Sequence, residues 1–169
     1  MAFITNGTTT TSFAEYQDVV DADQRLFEAN EGLTDDVVET ALIRGTERIL
    51  NLIRQTDWWR DLYLEKTTNP VYTTRADVPE VDIDNIQGRQ NDFTDLCVFY
   101  SLSQYILPKI ADFSNKDNAE YVKIGFYANK FQSLFDEIIN SGDWYDLDAD
   151  GVVASSEKLP GHYSLRRIR

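Results

Sequence analysis

The chain has 169 residues, enough for one domain with a real core, and its 42% hydrophobic and 12% aromatic content excludes a disordered polymer. A formal net charge of −13 and a pI near 4.4 argue against a body that clamps a nucleic-acid backbone, which needs Lys and Arg. The single cysteine, Cys97, excludes an internal disulfide and a cysteine-rich metal site.

Residues 1–15 are mostly polar, Thr-rich near the start and without period, and read as a flexible N-terminal arm, or one ordered only by a neighbouring subunit. They lack the basic residue and long apolar run of a secretory signal. A helical domain is expected over residues 16–142. Its first helix spans about Val20–Ala29, with Leu26 and Phe27 toward the core, and Glu31-Gly32 stops it. A second opens at Thr34, with Asp35 and Asp36 in its first turn, where the helix dipole favours negative charge. Val38, Ala41, Leu42, Gly45, Ile49, Leu52 and Ile53 recur at steps of three and four and form one apolar stripe.

The helical period then fails: Asp57 to Leu64 alternates enough to allow a short strand or a ragged helix end, and a long loop is expected over about residues 60–91, punctuated by Asn69-Pro70, Val78-Pro79 and Gln87-Gly88. Just before it, Trp58 and Trp59 suit either the core at a helix end or an anchor on a neighbouring subunit's interface. A third helix spans about Asp92–Asp112, with Pro108 expected to kink or end its last turn. Cys97, among Phe93, Leu96, Phe99 and Tyr100, reads as a small buried hydrophobe. A fourth starts at Ser114 or Asn115 and runs to about Asn140. Its Ile124, Ala128, Phe131, Phe135 and Ile138 step as a bundle seam. The expected fold is all-α: a four-helix bundle with a long central loop and an extended C-terminal arm. No apolar run approaches the roughly 18 residues of a membrane span.

Residues 143–169 form an acidic turn followed by a docking arm. Asp146 to Glu157 matches D-x-D-x-D-G-x5-E, the spacing of an EF-hand calcium loop. Asp146, Asp148 and Asp150 would each offer a carboxylate oxygen, Val152 its carbonyl and Glu157 a bidentate carboxylate, with Gly151 at the sharp turn. The competing reading is a set of Asx turns with solvated acids, since Lys158-Leu159-Pro160-Gly161 leaves no room for an exiting helix. No cofactor is required beyond this candidate Ca²⁺. The tail follows, with Tyr163, Leu165 and Ile168 interleaved with Arg166, Arg167 and Arg169, and no acidic residue after Glu157. A cationic, alternating segment on an acidic protein suits docking on a partner; a frayed terminus is the other reading. There is no nucleophile elbow, phosphate loop or H-E-x-x-H, so no enzyme is expected.

Val20, Asp21, Ala22 and Asp23, followed after a break by Ala41, Leu42, Ile43, Arg44 and Thr46, resemble the head–tail adaptor (connector) proteins of tailed bacteriophages. The likeness covers the first third of the chain. At Gln55–Trp59 the chain departs from the aromatic Asp-Tyr-Leu-type segment that many members carry. The resemblance implies a homo-oligomeric ring, a dodecamer, beneath the portal protein at the head–tail junction of a virion assembled in the host cytoplasm. The tail would meet the portal, the far side a downstream neck or tail protein, and DNA would pass through an acidic channel without specific binding. No membrane is implied. A phage-encoded single-stranded-DNA-binding or replication accessory protein is the alternative; the acidic body and the lack of a basic groove with stacking aromatics stand against it.

Overall fold

A computed structural model describes residues 3–6, 9–30, 32–66, 78–115 and 118–158. The domain is mostly helical with a small two-stranded antiparallel sheet, so the expected pure four-helix bundle needs correction at several points. The first is the N-terminus. Strands β1 (Ile4–Asn6) and β2 (Thr9–Ser12) pair as a hairpin, with Ile4 opposite Ser12. Phe3, Phe13 and Ala14 are buried, and Phe13 and Phe93 rings pack 5.3 Å apart. The Phe13 N–H donates to Thr46 Oγ1 at 3.1 Å, and Thr94 Oγ1 donates to the Phe13 carbonyl at 2.8 Å. These side-chain hydroxyls satisfy backbone groups that burial would otherwise strand. The segment expected as a flexible arm is therefore, over its described residues, a lid on the core.

The first expected helix is two: α1 (Tyr16–Ala22) and α2 (Gln24–Ala29), broken at Asp23 with φ −150° and ψ 70°. Helix α3 (Asp35–Arg54) buries Val38, Ala41, Leu42, Gly45, Thr46, Ile49 and Ile53, the expected stripe with Thr46 added and Leu52 left half-buried. Where a short strand or a ragged helix end leading into a loop was expected, the helix α4 (Asp57–Lys66) follows, and a 3₁₀ turn occupies Ile83–Asn85. Residues 67–77 of that stretch lie outside the described residues.

Helix α5 (Gln90–Ser101) runs into a π-helical stretch, Leu102–Ile106, and on into α6 (Leu107–Ile110). The Leu107 N–H donates to the carbonyl of Leu102, five residues back. This wider turn directly precedes Pro108, whose ring in a regular helix meets the carbonyl four residues back and removes a hydrogen bond. Pro108 thus neither ends the helix nor breaks it. Helix α7 (Ala119–Ser141) is capped by Asn118, which accepts the Tyr121 N–H at 3.0 Å, and ends at Gly142 with φ 56°.

The core lies where α5 packs between α3 and α7. Leu42, Ile49, Ile53, Leu96, Leu102 and Ile106 are 0% exposed, each contributing about 1.5–3 kcal/mol relative to an exposed position. Gly45 sets the α3–α5 approach, since a Cβ there would lie 2.4 Å from Ser101 Oγ. Cys97 is the buried small residue expected; its thiol donates to the Leu42 carbonyl at 3.4 Å. Of the α7 seam, only Ile138 is fully inside, and Tyr127 is the other buried residue of that helix.

Candidate cation-binding turn

The acidic turn begins at a root held from two sides. The N–H groups of Gln87 and Gly88 donate to the Trp144 carbonyl at 3.1 and 3.0 Å, and the Asp146 N–H donates to the Asn85 carbonyl at 2.8 Å. Ile86 and Tyr145 form an antiparallel bridge. Gly88 has to be glycine here, because a Cβ would meet the Asp143 carbonyl oxygen at 2.5 Å and Trp144 Cα at 2.8 Å. Beneath this clasp, Trp144 is fully buried, with its ring 4.9 Å from Trp58 and 5.1 Å from Phe93, while Tyr145 meets Trp59 edge-on at 4.9 Å. Trp144 Nε1 donates to the Ile138 carbonyl at 3.0 Å, tying the root to the last turns of α7. Trp58 and Trp59, considered from the sequence as interface anchors, are 8% and 0% exposed. The structure commits their rings to bracing this root from inside, the core position that the sequence also allowed.

From the root the chain turns tightly around two buried carboxylates. Asp146 is 1% exposed and Glu157 6%. Asp146 Oδ1 accepts the Ala149 N–H at 2.8 Å, and Oδ2 accepts the Gly151 N–H at 2.7 Å. Glu157 Oε1 accepts from Leu147 at 2.8 Å and Asp148 at 3.2 Å; Oε2 accepts from Ala154 at 2.7 Å. Each of these buried side-chain oxygens thus has at least one backbone N–H partner. Two smaller Asx turns lie outside them, Asp148 Oδ1 accepting from Asp150 at 3.3 Å and Asp150 Oδ1 from Val152 at 2.8 Å. Gly151 sits at φ 89° with open space around its missing Cβ, so its need is conformational and not steric. Ala149 takes a positive φ of 58° without being glycine.

Carboxylate oxygens of Asp146, Asp148 and Glu157 lie within 4.8 Å of one another. This all-oxygen set could hold a hard divalent cation. The Asp148 carboxyl is held above its usual range, first by desolvation and then by the carboxylates of Asp150, Glu157 and Asp146, against which the hydrogen bond from the Asp150 N–H pulls it down. A cation at the cluster would relieve that repulsion. Asp150, the remaining expected carboxylate, is exposed and is not in that group. Three of the four expected carboxylates are thus gathered. The solvated-turn reading is also only half met, because Asp148 and Asp150 face solvent while Asp146 and Glu157 do not.

The turn ends at Ser155–Glu157, where the Glu157 N–H donates to the Ala154 carbonyl. No exiting helix follows among the described residues. Tyr163, Leu165, Arg166, Arg167, Ile168 and Arg169 of the expected docking arm lie outside them. What sequence reading missed is the support: nothing local links Asn85–Gly88 or Trp58-Trp59 to this turn, although the Gln87-Gly88 breaker was a signal of a backbone contact.

Among the described residues, no helix is long and apolar enough to cross a membrane. Comparisons with protein-family models, curated proteins and solved structures return no match.

Proposed function

We propose that the chain is a head–tail adaptor of a tailed bacteriophage: a structural subunit of a ring beneath the portal, joining the capsid to the next neck or tail component. The observation that carries this reading is the role of the residues behind the resemblance. Asp23 breaks α1 from α2 and reaches α7, with Lys123 Nζ 2.6 Å from its Oδ2. Ala41 and Leu42 lie on the buried face of α3, and each carbonyl accepts a hydrogen bond from α5. Thr46 fastens the N-terminal segment. Asp23, Ala41, Leu42 and Thr46 are joints of the domain, while Asp21, Ala22, Ile43 and Arg44 are exposed.

On this reading the acidic turn holds a calcium ion through Asp146, Asp148, Asp150 and Glu157, with the Val152 carbonyl. Such an ion supplies the positive charge that lets these carboxylates crowd together. Asp150 and Val152 reach it by giving up the outer Asx turn, and Glu157 by releasing amides. The docking arm that follows the turn in sequence is the segment that meets the portal.

The test is attachment of purified chain to portal-bearing heads that lack a neck. The full chain should form rings on the portal, seen by negative stain. A chain lacking residues 161–169 should keep its helical circular dichroism and fail to attach. Normal attachment of the truncated chain would remove the docking role of the tail. Failure of the full chain to attach, with tight single-stranded DNA binding that falls steeply with salt, would replace the adaptor with the replication accessory reading.

A further inference from the structure

We infer that copies of this chain meet head to tail, the outer face of α7 on one copy seating against the outer face of α3 on the next. This deepens the ring assignment and rests on it. On α7, Val122, Phe126 and Lys130 fall at steps of four on one row. Val122 is 59% and Phe126 52% exposed, and Phe113 (60%) packs edge-on against Tyr121 (40%) beside them. Lys130 Nζ is held 4.9 Å from the Phe126 ring and 5.0 Å from Phe99. The face is apolar with a fixed cation, on a chain whose net charge is −13.

The complementary surface lies on α3. Glu39, Ile43 and Glu47 form an exposed row at the same spacing, with Ile43 40% exposed. Neither glutamate forms an ion pair among the described residues. At the end of the row a hollow of about 220 Å³ is lined by Glu47, Leu50, Asn51, Arg54, Glu80 and Val81, with Arg54 Nη1 3.5 Å from Glu80 Oε1. The exposed apolar row of α7 beside a cation fits the exposed Ile43 between two carboxylates. Elsewhere the acidic surfaces of two copies repel; here Lys130 meets Glu47, and the exposed apolar side chains of α7 meet Ile43. The two faces differ, so the contact is heterologous and propagates into a ring or a filament.

Cysteine trapping tests this in the full chain, because Cys97 is fully buried and does not compete. Ile43→Cys and Val122→Cys proteins, mixed under mild oxidation, should give a disulfide-linked dimer containing one of each by mass spectrometry. Neither variant alone should link above the wild-type background. In this background, Glu47→Lys or Lys130→Glu should each lower the trapped fraction by about fivefold, and both changes in one chain should restore it. Val122→Cys linking to itself as strongly as to its partner would overturn the head-to-tail contact, as would failure of the double swap to restore it. No link in the mixture, with normal ring formation on portals, would remove this surface and leave the adaptor reading standing. No link and no attachment would remove both.

Discussion

Asp23 and Lys123, a hundred positions apart in sequence, are joined by a charged hydrogen bond, Nζ to Oδ1 at 2.9 Å and Oδ2 at 2.6 Å. The carboxylate side chain is 8% exposed, and Tyr127 Oη donates to it and to the Ala22 carbonyl at 3.4 and 3.3 Å. This one side chain closes the α1–α2 break onto α7. Asp23→Ala would leave Lys123 without its acceptor and Tyr127 with the Ala22 carbonyl alone, and should cost about 2 kcal/mol. In thermal unfolding that is a fall of roughly 5 °C for a domain of this size. A loss of under 1 °C would mean that the pair is a bystander.

Calcium should raise the melting temperature of the wild type by mass action, and Glu157→Gln should abolish the rise. The same substitution tests the metal-free turn. Glutamine keeps only one acceptor oxygen, and its NH2 cannot accept, so the N–H groups on one side of the turn lose their partner; a drop of about 1–3 kcal/mol is expected without calcium. A wild-type melting curve unmoved by millimolar calcium would leave the amide-held turn as the whole role of Glu157.

Gly88 and Gly151 should fail differently on change to alanine. At Gly88 the new Cβ runs into backbone of Asp143 and Trp144, so the clasp under the turn must open, at about 2 kcal/mol or more. At Gly151 there is space, and only the positive φ is penalised, at about 1 kcal/mol. Chemical denaturation of both variants, with tryptophan fluorescence reporting Trp144, distinguishes them. Equal losses would contradict this assignment.

Stability should fall in alkali. Burial pushes the Cys97 thiol up from its ordinary 9.0 to about 11. The unfolded chain therefore releases that proton first, and the contribution is whole below about pH 9 and lost as pH rises toward 11, on the order of 2 kcal/mol. Tyr127 acts with the same sign at higher pH, its hydroxyl raised to about 12 by burial and by Asp23. Cys97→Ala should flatten the slope of unfolding free energy between pH 9 and 10. An unchanged slope would place the alkaline sensitivity elsewhere.

Deleting residues 3–14 should destabilise the domain, in contrast to removal of a free arm. Phe3, Phe13 and Ala14 leave the core, and Thr46 and Thr94 lose backbone partners. A loss of several kcal/mol is expected from the two phenylalanines alone, read as a lower denaturant midpoint. An unchanged midpoint would show that the hairpin does not hold the core.

Much of this was decided locally and could be read from the sequence. The α3 stripe from Val38 to Ile53 follows from apolar side chains three and four apart, and the end of α7 from Gly142, which takes a left-handed backbone at little cost. The spacing from Asp146 to Glu157, with glycine at the sixth position, specifies a tight acidic turn, because each short carboxylate reaches amides only a few residues on. Tertiary structure decided the rest. Whether Trp58 and Trp59 face a neighbour or the core depends on Trp144 and Tyr145, some 85 residues later. The Thr-rich start has no period of its own and folds because Thr46 and Thr94 offer hydroxyls to Phe13. Among the acids of the turn, composition ranks none, and only the clasp between Asn85–Gly88 and Trp144–Asp146 buries Asp146 and leaves Asp148 in solvent. Periodicity reports how a segment divides between solvent and core; which distant segment supplies that core is settled by packing that no local window contains.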